Sequence, residues 1–209
     1  MDHAPLVARI DIKIELPRSG VIRVVSARLF SEPDEALCQH FLRRALLAPE
    51  IESVVLQPGS TPAAELCFNG ARHDHRHLLR RLADLLSGKS RDDNRRLAVA
   101  PAATARDRYG VVRYRRYADR VTGWRVERDE LGSLQVTNPV LYRKSTLCQA
   151  IDRELVGIFG VHHNVSLAMQ CRVDIDYDPR RINAAQLIET LDAALATSED
   201  QPQLGAVQK

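Results

Sequence analysis

The chain reads as an α+β protein of two tandem units, each an antiparallel sheet carrying its helices on one face. Three observations lead there: the sequence repeats itself, its helical segments are amphipathic, and its strand segments alternate in polarity. Sliding the second half over the first brings the two into register at an offset of about 110 residues. Leu37-Cys38-Gln39 then recurs as Leu147-Cys148-Gln149.

In each copy this tripeptide opens a helix with an apolar stripe, Leu37, Phe41 and Ala45 against Leu147, Ile151 and Leu155. A short turn and a strand follow, Glu50 to Val55 against Gly160 to Val165. The next strands alternate, with Ala64, Leu66 and Phe68 matching Val173, Ile175 and Tyr177 on one face, and Cys67 and Asp176 on the opposite faces. Second helices start at Asp74 and Asn183, both good N-cap residues, and carry Leu78, Leu79, Leu82 and Leu85 or Leu187, Ile188 and Leu191. Ahead of each first helix stands a β-rich approach, Ala8 to Leu16 with Val21 to Val25, and Trp124 to Glu130 with Leu134 to Thr137. Each approach has Glu-Leu before a glycine-containing turn, at Gly20 and Gly132. Helices on one face of such a sheet predict two ferredoxin-like βαββαβ sandwiches.

A length of 209 residues suits two such units. Residues 1–88 form the first, 89–110 a flexible linker, 111–197 the second, and 198–209 a disordered tail. The 44% hydrophobic and 27% charged content is globular, and 30 basic against 27 acidic residues leave too small an excess to wrap nucleic acid. Met1 to Ile14 carries charges at Asp2, Arg9, Asp11 and Lys13, which is unlike a signal peptide, and no apolar run approaches a membrane span. Cys38, Cys67, Cys148 and Cys171 are widely separated with no CxxC among them, which fits reduced thiols in the cytoplasm.

Asn138 to Ile151 (Asn-Pro-Val-Leu-Tyr-Arg-Lys-Ser-Thr-Leu-Cys-Gln-Ala-Ile) and the turn Asp176 to Arg181 (Asp-Tyr-Asp-Pro-Arg-Arg) carry a resemblance. The stretch 124–196 resembles the degenerate heavy-metal-associated domains at the cytoplasmic N-terminus of bacterial heavy-metal-translocating P-type ATPases, and the first copy does so more weakly. In metal-carrying members a Gly-Met-x-Cys-x-x-Cys loop supplies two thiolates to copper or zinc. The resemblance places Cys38 and Cys148 at the second cysteine, while Glu35 and Ser145 stand at the first, leaving one sulfur per unit for a weakly bound copper or zinc ion. It implies a non-enzymatic protein, accessory or regulatory to heavy-metal transport, whose partner is a metal-transport ATPase or its regulatory domain. The ligand loop of metal-binding relatives faces the partner. Val140, Leu141 and Tyr142 beside Arg143 and Lys144 are therefore the candidate contact residues here.

The residues also allow plainer readings. Cys38 and Cys148 share helical spacing with Phe41 and Ala45 or Ile151 and Leu155, which suits core positions. His73 precedes the helix that carries His77, so the pair lacks a common face, and His162-His163 reads as an exposed strand start. Arg106 to Arg120, rich in Arg and Tyr, is a mix suited to stacking on bases or lying on anionic lipid, and its plainer reading is a solvated strand or linker whose tyrosines pack on the following domain. No Ser/His/Asp set, paired-carboxylate motif or glycine-rich phosphate loop is present, so no enzyme is expected. An RNA-binding module shares the strand and helix order, but Gln170, Arg172, Asp174 and Asp176 supply no stacking aromatic on the open face. A structural oligomerisation module is the third reading.

Overall fold

A computed structural model describes residues 11–87, 97–100 and 105–199. The first unit runs β1 (Lys13–Arg18), β2 (Val21–Val25), α1 (Ala27–Phe30), α2 (Ala36–Ala45), β3 (Ile51–Gln57), β4 (Ala63–Phe68) and α3 (His75–Leu86). Short strands β5 (Ala98–Val99), β6 (Val112–Tyr117) and β7 (Arg120–Thr122) follow. The second unit runs β8 (Arg125–Glu130), β9 (Ser133–Thr137), α4 (Ser145–Val156), β10 (Val161–Leu167), β11 (Arg172–Tyr177) and α5 (Ala184–Glu199). The architecture is α+β, with two sheets and five helices among the described residues.

The repeat is a repeat of topology. β1-β2-β4-β3 lie side by side in the first sheet, and β10-β11-β9-β8 is the same order in the second. β4 and β11 each lie between the two strands that flank the first helix, all paired antiparallel. The hairpin glycines show the equivalence in detail. Gly20 and Gly132 adopt φ +77 and +88, and each accepts a 2.9 Å bond, from Phe68 N and Tyr177 N respectively. A Cβ on Gly20 would stand 2.7 Å from the Phe68 carbonyl oxygen, so both the turn and the close approach require glycine there.

The order in each unit is ββαββα, which corrects the predicted βαββαβ. A strand returning from α3 would have to reach the free side of β2, and β1 already occupies it. β8 holds the same place beside β9. Both β-rich approaches in the sequence are thus complete hairpins.

β6 joins the first sheet, pairing antiparallel with β3 through Ser53↔Arg115, Val54↔Tyr114, Val55↔Arg113 and Leu56↔Val112. β7 pairs with β6, and β5 lies parallel to β7, closing a seven-stranded sheet. Val112 and Tyr114 turn into the core while Arg113 and Arg115 face the other way, as strand alternation requires. The first sheet therefore continues through residue 122, and Tyr114 of the Arg/Tyr segment packs on the preceding unit. Of the expected linker, residues 97–100 and 105–110 are described; 89–96 and 101–104 lie outside the described residues. α5 extends to Glu199, and the rest of the expected tail also lies outside them, as do residues 8–10 of the first approach.

Two cores result, one beneath the first sheet around Ile22, Leu42, Val54, Leu66, Leu78 and Tyr114, the other around Trp124, Leu134, Ile151, Ile175 and Leu191. Asn183 forms a reciprocal cap, its Oδ1 accepting from Gln186 N and its own N–H donating to Gln186 Oε1, both at 3.0 Å. Asp74 makes no such side-chain bond at the start of α3. Among the described residues no helix is long and apolar enough to cross a membrane.

Candidate functional site

The loop between β9 and α4 is built on Asn138. This residue is buried; its N–H donates to the Cys171 carbonyl at 2.8 Å and its Oδ1 accepts from Val140 N at 3.0 Å. Pro139, already set at a helical φ, starts a single 3-10 turn through Leu141. That turn drives Val140 and Leu141 into the second core, where they are 4% and 0% exposed. Lys144 N then donates to Leu141 O, and Cys148 N to Lys144 O, leading into α4.

The structure narrows the candidate contact residues accordingly. Val140 and Leu141 cover the end of the core, so their apolar surface is already used within the unit. Tyr142 is half-buried and Arg143 and Lys144 are exposed, with Arg143 in the left-handed region at φ +58. The Arg143 guanidinium lies 5.3 Å from the Tyr142 ring centre and that of Arg108 4.4 Å from it, so two cations stack on one aromatic. Arg108 also lies 4.5 Å from the ring of Tyr109, which is 68% exposed.

Asp107 organises the neighbouring turn, accepting from Tyr109 N at 2.8 Å and Val111 N at 3.0 Å while pairing with Arg113. Burial alone would raise its carboxyl pKa. The Arg113 guanidinium and the two backbone N–H groups outweigh that and hold it below the ordinary carboxylate range. Its charge is engaged by Arg113, leaving Arg108, Arg143 and Lys144 as an exposed cationic rim around Tyr142.

Cys38 and Cys148 lie inside separate cores, at 0% and 4% exposure. Glu35 and Ser145, three residues before Cys38 and Cys148, are exposed at the starts of α2 and α4. Burial first, then the charges of Asp34 and Glu35, push the Cys38 thiol up to about 12. Burial likewise raises the pKa of Cys148, with smaller contributions from Asp152 and Cys171, and that of Cys171, which Arg108 pulls back slightly. A soft ion wants two sulfur ligands, and Cys38 and Cys148 are each enclosed in a core with no cysteine at the position three residues before. Their environments do not fit copper or zinc.

No protein-family model matches the chain, and no curated protein matches it.

Among the described residues no three His, Cys, Asp or Glu side chains gather as a metal-holding group. His75 instead packs edge-on against the Phe68 ring at 5.1 Å, and His162 and His163 are exposed on β10. On the second sheet Asp174 is engaged by Gln135 at 2.8 Å and Arg172 at 2.9 Å. Tyr177, the sole Phe, Trp or Tyr in β8 to β11, is buried in the core. The contributions of Arg108 and Tyr109 to the loop were hidden in the sequence, because about 30 residues separate them from Tyr142. Their composition had flagged the segment without its destination.

Thiol labelling checks the core placement. In native protein at pH 8, iodoacetamide is expected to leave Cys38 unmodified until denaturant is added. Rapid native labelling of Cys38 would mean that α2 opens readily.

Proposed function

We propose that the chain is a non-enzymatic pair of degenerate heavy-metal-associated units that docks on a heavy-metal-transport ATPase or its regulatory domain. Each unit would be a permuted ferredoxin-like sandwich, its fourth strand supplied by the N-terminal hairpin instead of a C-terminal return. The exposed rim of Arg108, Arg143 and Lys144 around Tyr142 is the observation that carries the reading. It stands where the resemblance puts the ligand loop of metal-binding relatives, and the burial of Cys148 makes docking better supported than weak metal handling. Rim cations speed encounter with an acidic surface, and the half-buried Tyr142 ring holds two of them in place. The lack of an exposed Phe, Trp or Tyr on the second sheet gives no support to base stacking.

The test is binding to the soluble domains of a heavy-metal-transport ATPase encoded in the same genome. The double change Arg143→Glu and Lys144→Glu is expected to leave the circular dichroism spectrum intact. It should weaken binding by roughly tenfold at low salt and less at high salt, because exposed charges are screened. Equal binding by variant and parent at both salts would remove the loop from the contact surface.

A further inference from the structure

Where the two sheets meet, β3 and β6 of the first and the start of β8 of the second enclose a cleft of about 370 Å³. Arg115, Arg116 and Arg125 are among its lining residues, with Glu52 the one carboxylate; the Arg116 side chain leaves β6 on the core face with Val112 and Tyr114, so Arg115 and Arg125 supply the guanidinium groups. Ser53, Tyr117 and Trp124 also line it, Ser53 and Trp124 being 9% and 1% exposed. Two donors here have no hydrogen-bond partner although their atoms are buried, Arg115 Nη1 and Trp124 Nε1.

We infer that this cleft is a binding site for a phosphate-class oxyanion, built on Arg115 and Arg125. Cations brought together in a half-buried cleft repel one another, and a buried N–H without a partner costs free energy. Neither cost serves the core, since Tyr114 and Val112 of the same strand already fill it. Arg125 pairs with Glu127 at 3.2 Å beside the cleft, whereas Arg116 is held on the core side by the Leu46 carbonyl at 3.4 Å. Arg115 is the one left with an open donor. Its pKa is lowered chiefly by burial and then by Arg125 and Arg113, the like charges an anion would offset. The planar fork of a guanidinium matches two oxygens of a phosphate, and two forks suit a doubly charged group. The volume would also admit a small organic moiety attached to the phosphate.

The probes are inorganic phosphate, pyrophosphate, and vesicles of phosphatidylcholine with and without phosphatidic acid, against potassium chloride at matched ionic strength. Saturable calorimetric binding of phosphate or pyrophosphate is expected, weakened at least about tenfold in both Arg115→Gln and Arg125→Gln. Arg125 is well exposed at 60%, so its variant separates lost binding from lost folding. Vesicle binding that needs phosphatidic acid and fails in the same variants would assign the phosphate to a lipid headgroup. Binding unchanged in both variants, or thermal stabilisation no greater than that given by chloride, would overturn the site.

Discussion

Replacing Asp192 with asparagine is expected to stabilise the protein at pH 8 by a few kcal/mol and to flatten its stability between pH 4 and 7. Asp192 lies on α5 with 2% exposure; its Oδ1 accepts from Thr122 Oγ1 at 2.8 Å, and its Oδ2 has no partner. Burial pushes its pKa up to about 7 from an ordinary 3.8, against the pull of the Thr122 hydroxyl and Arg120 and with some help from Glu189. The folded chain thus holds a proton that the unfolded chain releases. Below about pH 4 both states are protonated and the group contributes nothing. Between about pH 4 and 7 the unfolded state gives up its proton first, so stability falls as pH rises; above 7 the loss is complete and constant. At 1.36 kcal/mol per pKa unit the total is on the order of 4 kcal/mol. Asparagine keeps an acceptor for Thr122 and removes the charge. Urea midpoints for both proteins at pH 4.5, 6 and 8 measure this, and a variant less stable than the parent at pH 8 would show that the carboxylate is well satisfied.

A fragment ending at Gly110 is expected to lose most of the stability of the first unit, whereas one ending at Thr122 keeps it. The shorter fragment lacks Val112, Tyr114 and Val121, each at most 1% exposed in the first core. Removing a buried aromatic costs about 3–5 kcal/mol and each valine about 1.5–3. Their sum rivals the 5–15 kcal/mol that holds a typical domain together. The cut also bares the edge of β3, an invitation to aggregate. Thermal melts and size-exclusion chromatography compare the fragments, and in the full chain Tyr114→Ala should alone cost about 3–5 kcal/mol. Equal melting of the two fragments would show that β6 is peripheral to the unit.

Much of this architecture could be read from residue order. The paired tripeptides at Leu37 and Leu147, the alternation of β4 and β11 and the turns at Gly20 and Gly132 are local patterns, and local patterns survive in one dimension. Sheet partners do not. The alternation of Val112, Arg113, Tyr114 and Arg115 announces a strand, yet nothing in it says that the strand pairs backwards with β3. The place of the fourth strand was hidden in the same way, since a hairpin in the sequence does not say which free edge it fills. In the candidate loop the apolar Val140 and Leu141 looked like contact anchors. A 3-10 turn begun by Pro139 sends them inward and leaves Tyr142 half-buried, with Arg143 and Lys144 exposed. Asp192 and Arg125 gave no signal, and the Arg/Tyr segment that holds Arg115 stood out by composition alone, because what these residues meet lies about 70 residues away in the chain.

Competition for metal puts the reading of these units as degenerate to its sharpest trial. Fully reduced protein is titrated with copper(I), and separately with zinc(II), in the presence of a coloured chelator. Since Cys38 and Cys148 are buried thiols facing no second cysteine at Glu35 or Ser145, the chelator should keep both ions. Stoichiometric transfer of one ion to each unit, lost in Cys38→Ser and Cys148→Ser, would mean instead that the sulfurs leave the core to bind metal.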